Sequence, residues 1–272
     1  MVDFHVHSVF SDGTDSVKTI IEKASKRHFD FLSITDHDTF ASQVEAIKIA
    51  GNYGVKYVTG IEISAEYPST LHILGYNYDI NNNDFYREIS KLEKYRNDRN
   101  KKIIRNFQNL GFNISLNEVI EEAKGNIVGR PHFASVLLKK GYFKSREEIF
   151  EKYLGKGKIA YENKIRFSME KCIDVIHKAG GIAIWAHPYS AVKEEDDIIP
   201  LLKKLLCFGL DGIEVYYSSY EPEMIAYLEK VADKYNLLKT AGSDYHGINK
   251  SIPLGVDINT NEIKKFILRL NS

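Results

Sequence analysis

The 272-residue sequence has no hydrophobic run that approaches the roughly 20 apolar residues of a transmembrane helix. Its N-terminal segment also lacks the basic stretch and apolar core of a secretory signal. These absences predict a cytoplasmic protein with no membrane partner, and nothing indicates an obligate protein partner. With 43% hydrophobic and 27% charged residues, the chain resembles ordinary globular proteins and can form a large core.

Cysteine is scarce, and neither sign of charge is in excess. Cys172 and Cys207 each lie among apolar residues of a helical pattern, so we expect buried free thiols rather than a disulfide or a metal-binding pair. Lys+Arg and Asp+Glu number 37 each. Because no global field attracts a long polyanion, any nucleic-acid contact must be local, and a small anionic substrate suits this balance.

The N-terminal strand carries the first metal-binding side chains. In residues 2–7 apolar and polar residues alternate, so His5 and His7 leave the same face of the strand. A loop then returns Asp12 towards both imidazoles before a helix begins near Ser16. Two half-exposed histidines on an edge strand would be the better interpretation if this pattern stood alone. Similar strand ends recur along the chain.

Strand patterns occur seven times, at residues 2–7, 29–34, 57–63, 71–76, 182–186, 210–217 and 237–241. Six of these strands carry His, Asp or Glu at or near the C-terminal end. Such groups converge on one mouth in α/β barrels, which commonly contain about 250 residues. We therefore expect an α/β fold, a TIM-like barrel of about seven strands with one site at its rim.

The strand signal disappears between residues 79 and 167, where charged helical patterns take over. We interpret this segment as a helical insertion that caps the substrate, and residues 1–78 and 168–272 as the barrel domain. Arg96 and Arg99 lie three apart on a predicted helix, so they share a face that suits a phosphate. A solvated basic helix face explains the same residues about equally well.

The strand ends supply nine nitrogen and oxygen donors and no thiolate. They are His5, His7, Asp12, His37, Glu62, His72, His187, Asp244 and His246. Nine donors are too many for one ion and suit two or three divalent ions, with Mn²⁺, Fe²⁺ and Zn²⁺ all compatible. Taken singly, a histidine such as His72 is more often a core residue. The shared placement at strand ends favours the metal interpretation.

Several motifs together resemble the PHP (polymerase and histidinol phosphatase) family. They are Asp3–Ser8 with Ser11–Gly13, Ile34–Asp38, Gly60–Ile63, Ala186–Pro188 and Ser243–His246. The insertion is similar to one branch of that family, through Arg96–Asn100 and Gly129–His132. That branch includes the 3′,5′-nucleotide bisphosphate phosphatases and related exoribonucleases.

The resemblance implies a distorted (β/α)₇ barrel with a trinuclear metal site. It places His5, His7, Glu62 and Asp244 on one ion, Glu62 with His72 and His187 on a second, and Asp12, His37 and His246 on a third. It makes Arg96, Arg99, Arg130 and His132 substrate-binding residues, with His132 outside every coordination shell. The residues expected to carry the chemistry are Glu62, His187, Asp244 and His246.

The predicted reaction is hydrolysis of a phosphate monoester by direct attack of water. Metal ions lower the pKa of bound water to about 7, and no serine or cysteine nucleophile motif accompanies the histidines. The leaving group is protonated by either a metal-bound water or an unligated histidine. The expected substrate is a 3′,5′-bisphosphate nucleotide or an RNA 5′ end.

Three other functions fit parts of the sequence. One is a small-metabolite phosphatase such as a histidinol phosphatase, and another is a non-catalytic, metal-stabilised accessory module. The insertion arginines argue against the first, and the full donor set argues against the second. An amidohydrolase shares the His-x-His strand, but Glu62 occupies the position where a bridging modified lysine is expected.

Overall fold

The computed structural model describes residues 1–123, 127–192 and 194–271. The chain forms two compact units, a larger one of Met1–Ile89 and Arg166–Ser272 and a smaller one of Ser90–Ile165. Eight strands are present in the described residues: β1 Val2–Val6, β2 Phe31–Ile34, β3 Lys56–Tyr57, β4 Gly60–Ser64, β5 His72–Tyr76, β6 Ile182–Trp185, β7 Gly212–Tyr217 and β8 Leu238–Gly242.

Ten α-helices lie in the same described ranges. They are α1 Val17–Lys26, α2 Gln43–Ala50, α3 Asn83–Asn109, α4 Leu116–Ala123, α5 Arg130–Lys139, α6 Arg146–Ile149, α7 Met169–Lys178, α8 Ile198–Cys207, α9 Pro222–Lys234 and α10 Lys264–Leu270. A π-helical turn, Phe150–Leu154, continues α6. Within this part of the chain, no helix combines the length and apolar character needed to cross a membrane.

The strands form two sheets in a mixed α/β fold. The first has the order β1-β2-β3, with all strands parallel. The second has the order β4-β5-β6-β7-β8, in which β5 runs antiparallel to both neighbours while β6, β7 and β8 are parallel. The parallel alternation is therefore broken at β5.

Backbone hydrogen bonds also connect strands of the two sheets. Where β8 ends, the Asp244 amide donates to the His5 carbonyl at 2.8 Å, and the His7 amide donates to the Tyr245 carbonyl at 2.9 Å. Where β2 ends, the Asp38 amide donates to the Glu62 carbonyl at 2.8 Å. These contacts bring the carboxyl ends of β2 and β8 beside β4 and β1.

The strand expected at residues 57–63 is divided in the structure. β3 pairs with β2, whereas β4 pairs with β5, and Val58 and Thr59 lie between them. Gly60 allows the change of partner, because a Cβ there would overlap the Ser33 side chain and the Ile34 carbonyl. The single predicted strand is wrong at this point, since the chain leaves one sheet and enters the other.

Helices of the larger unit follow the expected apolar spacing. Ser16 caps α1 by accepting a hydrogen bond from the Thr19 amide, and the stripe from Val17 to Ala24 is buried. Ser168 caps α7 in the same way, and Gly180 follows it with a positive φ of 76°. These helices are stabilised mainly by burying one apolar face against the strands.

Aromatic side chains occupy the interior beneath the site. Phe4 of β1 is fully buried, and its ring lies edge-on to Phe266 with centroids 5.0 Å apart. The Tyr76 hydroxyl donates to the Phe4 carbonyl at 2.7 Å. Burying a phenylalanine side chain contributes about 1.5–3 kcal/mol, so this packing fixes the strand that carries His5.

The smaller unit has an apolar core of its own. Its buried residues include Ile103 and Phe107 of α3, Val119 of α4, Phe133 of α5 and Leu154.

The prediction of two buried thiols is half wrong, because Cys172 is buried whereas Cys207 is exposed. The buried stripe of α8 runs through Ile198, Leu201, Leu202 and Leu205, and Cys207 lies off it at the C-terminal end.

Candidate metal centre

The nine donors expected from the sequence lie in one cluster of the larger unit. They form four overlapping groups, and within each group the ligand atoms lie within 4.8 Å of one another. The groups are His5–His7–Asp244, His5–Glu62–His187, His37–Glu62–His72 and His7–Asp12–His37–His246. Donors around one ion at about 2.1 Å are separated by about 3–4.2 Å, so the spacing suits divalent ions.

Glu62 lies at the centre of the cluster and is fully buried. Its Oε1 atom lies 2.7 Å from His72 Nδ1 and 3.0 Å from His187 Nε2. Its Oε2 atom lies 2.9 Å from His37 Nδ1 and 3.2 Å from His7 Nε2. One carboxylate therefore contacts imidazoles from four separate segments of the chain, which is the arrangement expected of a bridging ligand.

Asp244 follows β8 with a positive φ of 57°, and its two oxygens face different partners. Oδ1 lies 3.2 Å from His7 Nε2 and 3.6 Å from His5 Nε2. Oδ2 accepts hydrogen bonds from the Tyr217 hydroxyl at 2.8 Å and from Lys250 Nζ at 2.5 Å. The second pair of contacts holds the carboxylate so that Oδ1 points into the cluster.

Asp12 occupies the open side of the cluster, with its side chain 51% exposed. Its Oδ1 atom lies 3.2 Å from His246 Nε2, and its Oδ2 atom lies 3.7 Å from His37 Nε2. His246 Nδ1 lies 2.7 Å from the Asp244 carbonyl oxygen. Because a carbonyl can only accept, Nδ1 carries a proton, and the Nε2 atom of the neutral ring could bind an ion that Asp12 also binds.

The cluster shifts the pKa values of its members in both directions. Burial acts against ionisation of Glu62, but the electrostatic interactions with the imidazoles of His37, His72 and His5 hold its pKa well below the usual range. Burial lowers the pKa of His72 to about 4 despite its contact with Glu62, so this ring is neutral at pH 7. His72 can therefore offer a lone pair without first losing a proton.

His7 behaves in the opposite way. Burial opposes its charge, yet the close contacts of its Nε2 atom with the carboxylates of Asp244 and Glu62 raise its pKa to about 10. The pKa of Asp244 is lowered, against the effect of burial, by the charge of His5 and by contacts with His7. Carboxylates that remain ionised and imidazoles that point at them form a site prepared for positive charge.

Buried polar atoms in the cluster support a fit to metal ions. Within the described ranges of the chain, His5 Nε2, His7 Nε2 and Glu62 Oε2 are buried and lack a hydrogen-bond partner of suitable geometry. Burying a polar atom without a partner costs about 1–3 kcal/mol, and these atoms converge on the same space. Ions bound by these donors would satisfy them, so the residues present fit the expected divalent metals.

Glu214 is a functional residue that the sequence interpretation missed. It lies on β7, is fully buried, and its Oε1 atom is 2.9 Å from His5 Nδ1. Its Oε2 atom accepts a hydrogen bond from the His187 backbone amide at 2.8 Å, where His187 has a φ of 28°. Glu214 lies in the middle of the predicted strand 210–217 and in no motif, so the local sequence does not single it out.

Asp36 is another buried carboxylate, and it contacts the loop that follows His7. It accepts hydrogen bonds from the Ser8 amide at 2.8 Å, the Ser8 hydroxyl at 2.7 Å and the Ser11 hydroxyl at 2.6 Å. These bonds fix the loop that presents Asp12. From its sequence position beside His37, Asp36 is expected to be a turn residue. The structure shows instead that it binds the loop that contains Ser8 and Ser11.

The four predicted substrate-binding residues all belong to the smaller unit. Arg96 is nearly buried, and Arg99 donates to Asn100 Oδ1 at 2.9 Å. Arg130 donates to the Leu154 carbonyl at 3.1 Å, and His132 Nδ1 accepts a hydrogen bond from the Gly129 amide at 3.0 Å. His132 is absent from the four donor groups found among the described residues. The substrate role of all four residues stays a prediction.

Comparisons with known proteins find relatives with a similar sequence and fold. The PHP domain model matches residues 3–165. The 5′-3′ exoribonuclease Rnm of Escherichia coli K12 is 30% identical over 256 residues, covering 93% of this chain and 87% of that protein. The 3′,5′-nucleoside bisphosphate phosphatase of Chromobacterium violaceum is 28% identical over 247 residues, covering 90% and 87%.

A crystal structure from Bifidobacterium adolescentis, assigned as a metal-dependent phosphoesterase, superposes with a TM-score of 0.82. It shares 28% identity, and the alignment covers 98% of this chain and 96% of that one. Fold, donor cluster and relatives together define a metal-dependent phosphoesterase, a hydrolase. The chain belongs to the PHP family, as its motifs predicted. The alternatives of a histidinol phosphatase and of an accessory module are not favoured.

Proposed function

We propose that the protein hydrolyses a phosphate monoester of a nucleotide, either a 3′,5′-bisphosphate nucleotide or the 5′ end of a short RNA. The observation that carries this proposal is the convergence of nine donors around the buried carboxylate of Glu62. The names of the relatives supply the nucleotide, since one acts on 3′,5′-nucleoside bisphosphates and another on RNA.

We also propose that the two sheets form one distorted (β/α)₇ barrel. The hydrogen bonds from Asp244 to His5 and from Asp38 to Glu62 support this interpretation, because they join the sheets on both sides. The seven strands of this barrel are β1, β2, β4, β5, β6, β7 and β8. The short strand β3 pairs with β2 and is not one of the seven. Residues 1–78 and 168–272 form the barrel domain, and residues 79–167 are the substrate-capping insertion.

The cofactors in this proposal are two or three divalent ions, Mn²⁺, Fe²⁺ or Zn²⁺. When bound, they supply Lewis-acid activation of water and neutralise charge on the phosphoryl group. Their ligands are His5, His7, Asp12, His37, Glu62, His72, His187, Asp244 and His246. The three-ion assignment that the family resemblance implies divides them differently from the four overlapping groups, in which His5, His7, His37 and Glu62 each occur twice.

The protein side chains have separate tasks in the proposed reaction. Glu62 and Asp244 keep their negative charge, because the surrounding imidazoles lower their pKa values. His187 and His246 complete the set of residues assigned to the chemistry. The protonated Nδ1 of His246 is held by a carbonyl, which keeps its Nε2 atom directed at Asp12. Glu62 and Asp244 thus enter the reaction with a fixed negative charge, and His246 enters it with a fixed orientation.

Specificity is assigned to Arg96, Arg99, Arg130 and His132, which would grip a phosphate distinct from the one that is cleaved. A substrate with two phosphates then has two anchors, and binding energy from the remote one orients the scissile one. A charge-assisted arginine contact contributes about 1.5–3 kcal/mol, so its loss costs roughly 10 to 100-fold.

The test compares adenosine 3′,5′-bisphosphate with 3′-AMP in the presence of Mn²⁺. The wild type is expected to prefer the bisphosphate strongly in kcat/KM, and chelator should abolish turnover of both. Arg130→Ala should lose the preference and keep its rate on the monophosphate. Arg146→Ala is the matched control, because Arg146 donates to Ser135 in the same unit and has no assigned substrate role.

Equal wild-type rates on the two nucleotides would reject the bisphosphate assignment and leave a general metal-dependent phosphomonoesterase. Turnover that survives chelation would exclude metal-assisted hydrolysis. Glu62→Gln and Asp244→Asn should release no phosphate while remaining folded, as judged by circular dichroism. Unfolding of both variants would instead indicate that the ions are structural.

A further inference from the structure

A second candidate binding site lies within the smaller unit. A cavity of about 350 Å³ opens beside α3, lined by Tyr95, Arg99, Lys102 and Arg105 of that helix. Glu162 and Asn163, from the segment that ends this unit, contribute to the opposite lining. The volume falls in the range of small-molecule sites, about 300–1,000 Å³, and exceeds what one phosphate fills.

More cationic than acidic side chains line this cavity. Glu162 accepts a hydrogen bond from Asn106 at 3.0 Å, and Asp98 lies 3.9 Å from Lys101. In the part of the chain that the structure describes, neither Lys102 nor Arg105 forms an ion pair, and both are exposed. Two cations without a counter-charge beside a concave surface favour an anionic ligand.

The shape of the cationic strip favours a chain of nucleotides over a single phosphate. Tyr95, Arg99, Lys102 and Arg105 follow one another at intervals of three or four residues, so they share a face of α3. From Tyr95 to Arg105 this face spans about 15 Å at 1.5 Å per residue. An aromatic ring in line with cations is the arrangement by which proteins hold single-stranded nucleic acids.

We propose that this cavity binds the sugar-phosphate backbone of single-stranded RNA, as a site additional to the metal centre. The inference rests on the proposed function, and it adds RNA longer than one nucleotide to the substrates that the protein favours. In this proposal a mononucleotide makes no contact with Lys102 or Arg105 of the cavity. An oligonucleotide gains contacts with Lys102 and Arg105, so these residues discriminate by substrate length.

The first test measures RNA binding without turnover. A fluorescent, 5′-phosphorylated RNA of about ten nucleotides, a length within the range of known single-strand sites, is titrated with protein in chelator at several salt concentrations. Lys102→Glu with Arg105→Glu should weaken binding roughly tenfold or more and reduce the salt slope by about 1.4, or 0.7 per lost phosphate contact. The neutral pair Lys102→Gln with Arg105→Gln should give a smaller loss in the same direction.

The matched control carries the same charge change elsewhere in the unit. Lys144 and Lys156 are exposed and do not line the cavity, so Lys144→Glu with Lys156→Glu should change RNA affinity by less than about twofold. An equal loss in the control would mean that net charge alone acts, and the cavity assignment would fall. Unchanged RNA binding in the cavity variants would also overturn it.

Turnover separates this proposal from the function it rests on. In the cavity variants kcat/KM should fall for the oligonucleotide and stay within about twofold of wild type for adenosine 3′,5′-bisphosphate, since in this proposal only the longer substrate extends to Lys102 and Arg105. Equal losses on both substrates would reject a length-dependent site. If wild-type protein hydrolyses neither substrate, the proposed function fails, while the binding experiment still decides whether RNA occupies the cavity.

Discussion

Glu214 connects two of the candidate ligands through one carboxylate. Because Glu214 accepts at His5 Nδ1, that atom carries the proton, and His5 Nε2 is directed at Glu62 and Asp244. The other carboxylate oxygen of Glu214 accepts a hydrogen bond from the His187 amide, and this bond stabilises the positive φ of His187. Partners of this kind orient metal-binding histidines and commonly affect metal affinity as strongly as the ligands themselves.

Glu214→Gln should weaken metal binding about 10 to 100-fold, as measured by titration calorimetry with Mn²⁺. An amide has one oxygen and one NH₂ group, so it cannot accept from His5 and from the His187 amide together. If the glutamine NH₂ group donates to His5 Nδ1, the ring proton must move to Nε2, and Nε2 can then no longer bind a metal ion. Metal content after dialysis against limiting Mn²⁺ should fall in parallel.

Glu229→Gln is the control for that measurement. Glu229 accepts a hydrogen bond from the Tyr216 hydroxyl at 2.6 Å, and a glutamine oxygen can still do so. This variant should bind Mn²⁺ like the wild type. Wild-type affinity in Glu214→Gln as well would show that His5 and His187 are oriented without the carboxylate.

The candidate ligands were predictable residue by residue, and their partners were not. His5 and His7 follow the period of a strand, and Asp244 and His246 end another, so local sequence identifies them. Glu214 contacts His5 across 209 residues of sequence, and no motif surrounds it. Its role depends on which strands become neighbours, which a single sequence does not specify.

At the scale of secondary-structure elements, the site depends on the close approach of β8 to β1. Gly242 is the last residue of β8. A Cβ atom at this position would lie 2.5 Å from Glu214 Oε1 and closer still to the His5 Cβ. Both neighbours are buried in the cluster and cannot move without shifting candidate ligands.

Gly242→Ala should therefore destabilise the protein by about 1–3 kcal/mol, through overpacking between strands. Thermal unfolding should show a lower Tm, and Mn²⁺ affinity should fall because His5 is displaced. Gly51→Ala is the matched control, since a Cβ there meets nothing within 4 Å and its φ of −59° suits alanine. The control should keep or slightly raise the Tm. A Gly242→Ala protein as stable as wild type would show that the strands can separate without cost.

Helix positions were easier to predict than strand partners. The helix expected to begin near Ser16 is confirmed, and its signals are local, namely the apolar spacing from Val17 to Ala24 and the Ser16 side chain that caps it. The division between β3 and β4 depends on Gly60 approaching Ser33 of β2, which is a contact between distant segments. Local periodicity therefore predicts which segments are strands, whereas tertiary contacts decide where a strand changes sheets.

At the scale of the whole molecule, the stability of the larger unit is linked to its buried charges. Burial opposes the ionised forms of His5, His7 and Glu62, and contacts with opposite charges keep them ionised. Metal ions replace protons as the positive charge in such a site, so metal binding releases protons and depends on pH.

The sign of the pH dependence follows from the histidines. The pKa of His7 is raised from 6.5 to about 10, so its contribution to stability is complete below pH 6.5 and is lost as pH rises towards 10. His72, lowered to about 4, contributes stability above pH 6.5 that is lost as pH falls towards 4. Between pH 7 and 9 the contribution of His72 is constant, whereas that of His7, and of His5 whose pKa is also raised, is being lost, so chelated protein should become less stable.

Mn²⁺ should reverse that trend. At a metal concentration about 100 times the dissociation constant, binding adds about 2.7 kcal/mol, which raises the Tm by roughly 5–10 °C. Each proton that the ion displaces makes this increment grow by about 1.4 kcal/mol per pH unit until the group is neutral. The measurement is calorimetric Tm at pH 7, 8 and 9, with Mn²⁺ and with chelator, compared between wild type and Glu214→Gln. An increment that stays constant or shrinks with pH would mean that the ion does not compete with protons on His7, and His7 would then have to be removed from the ligand set.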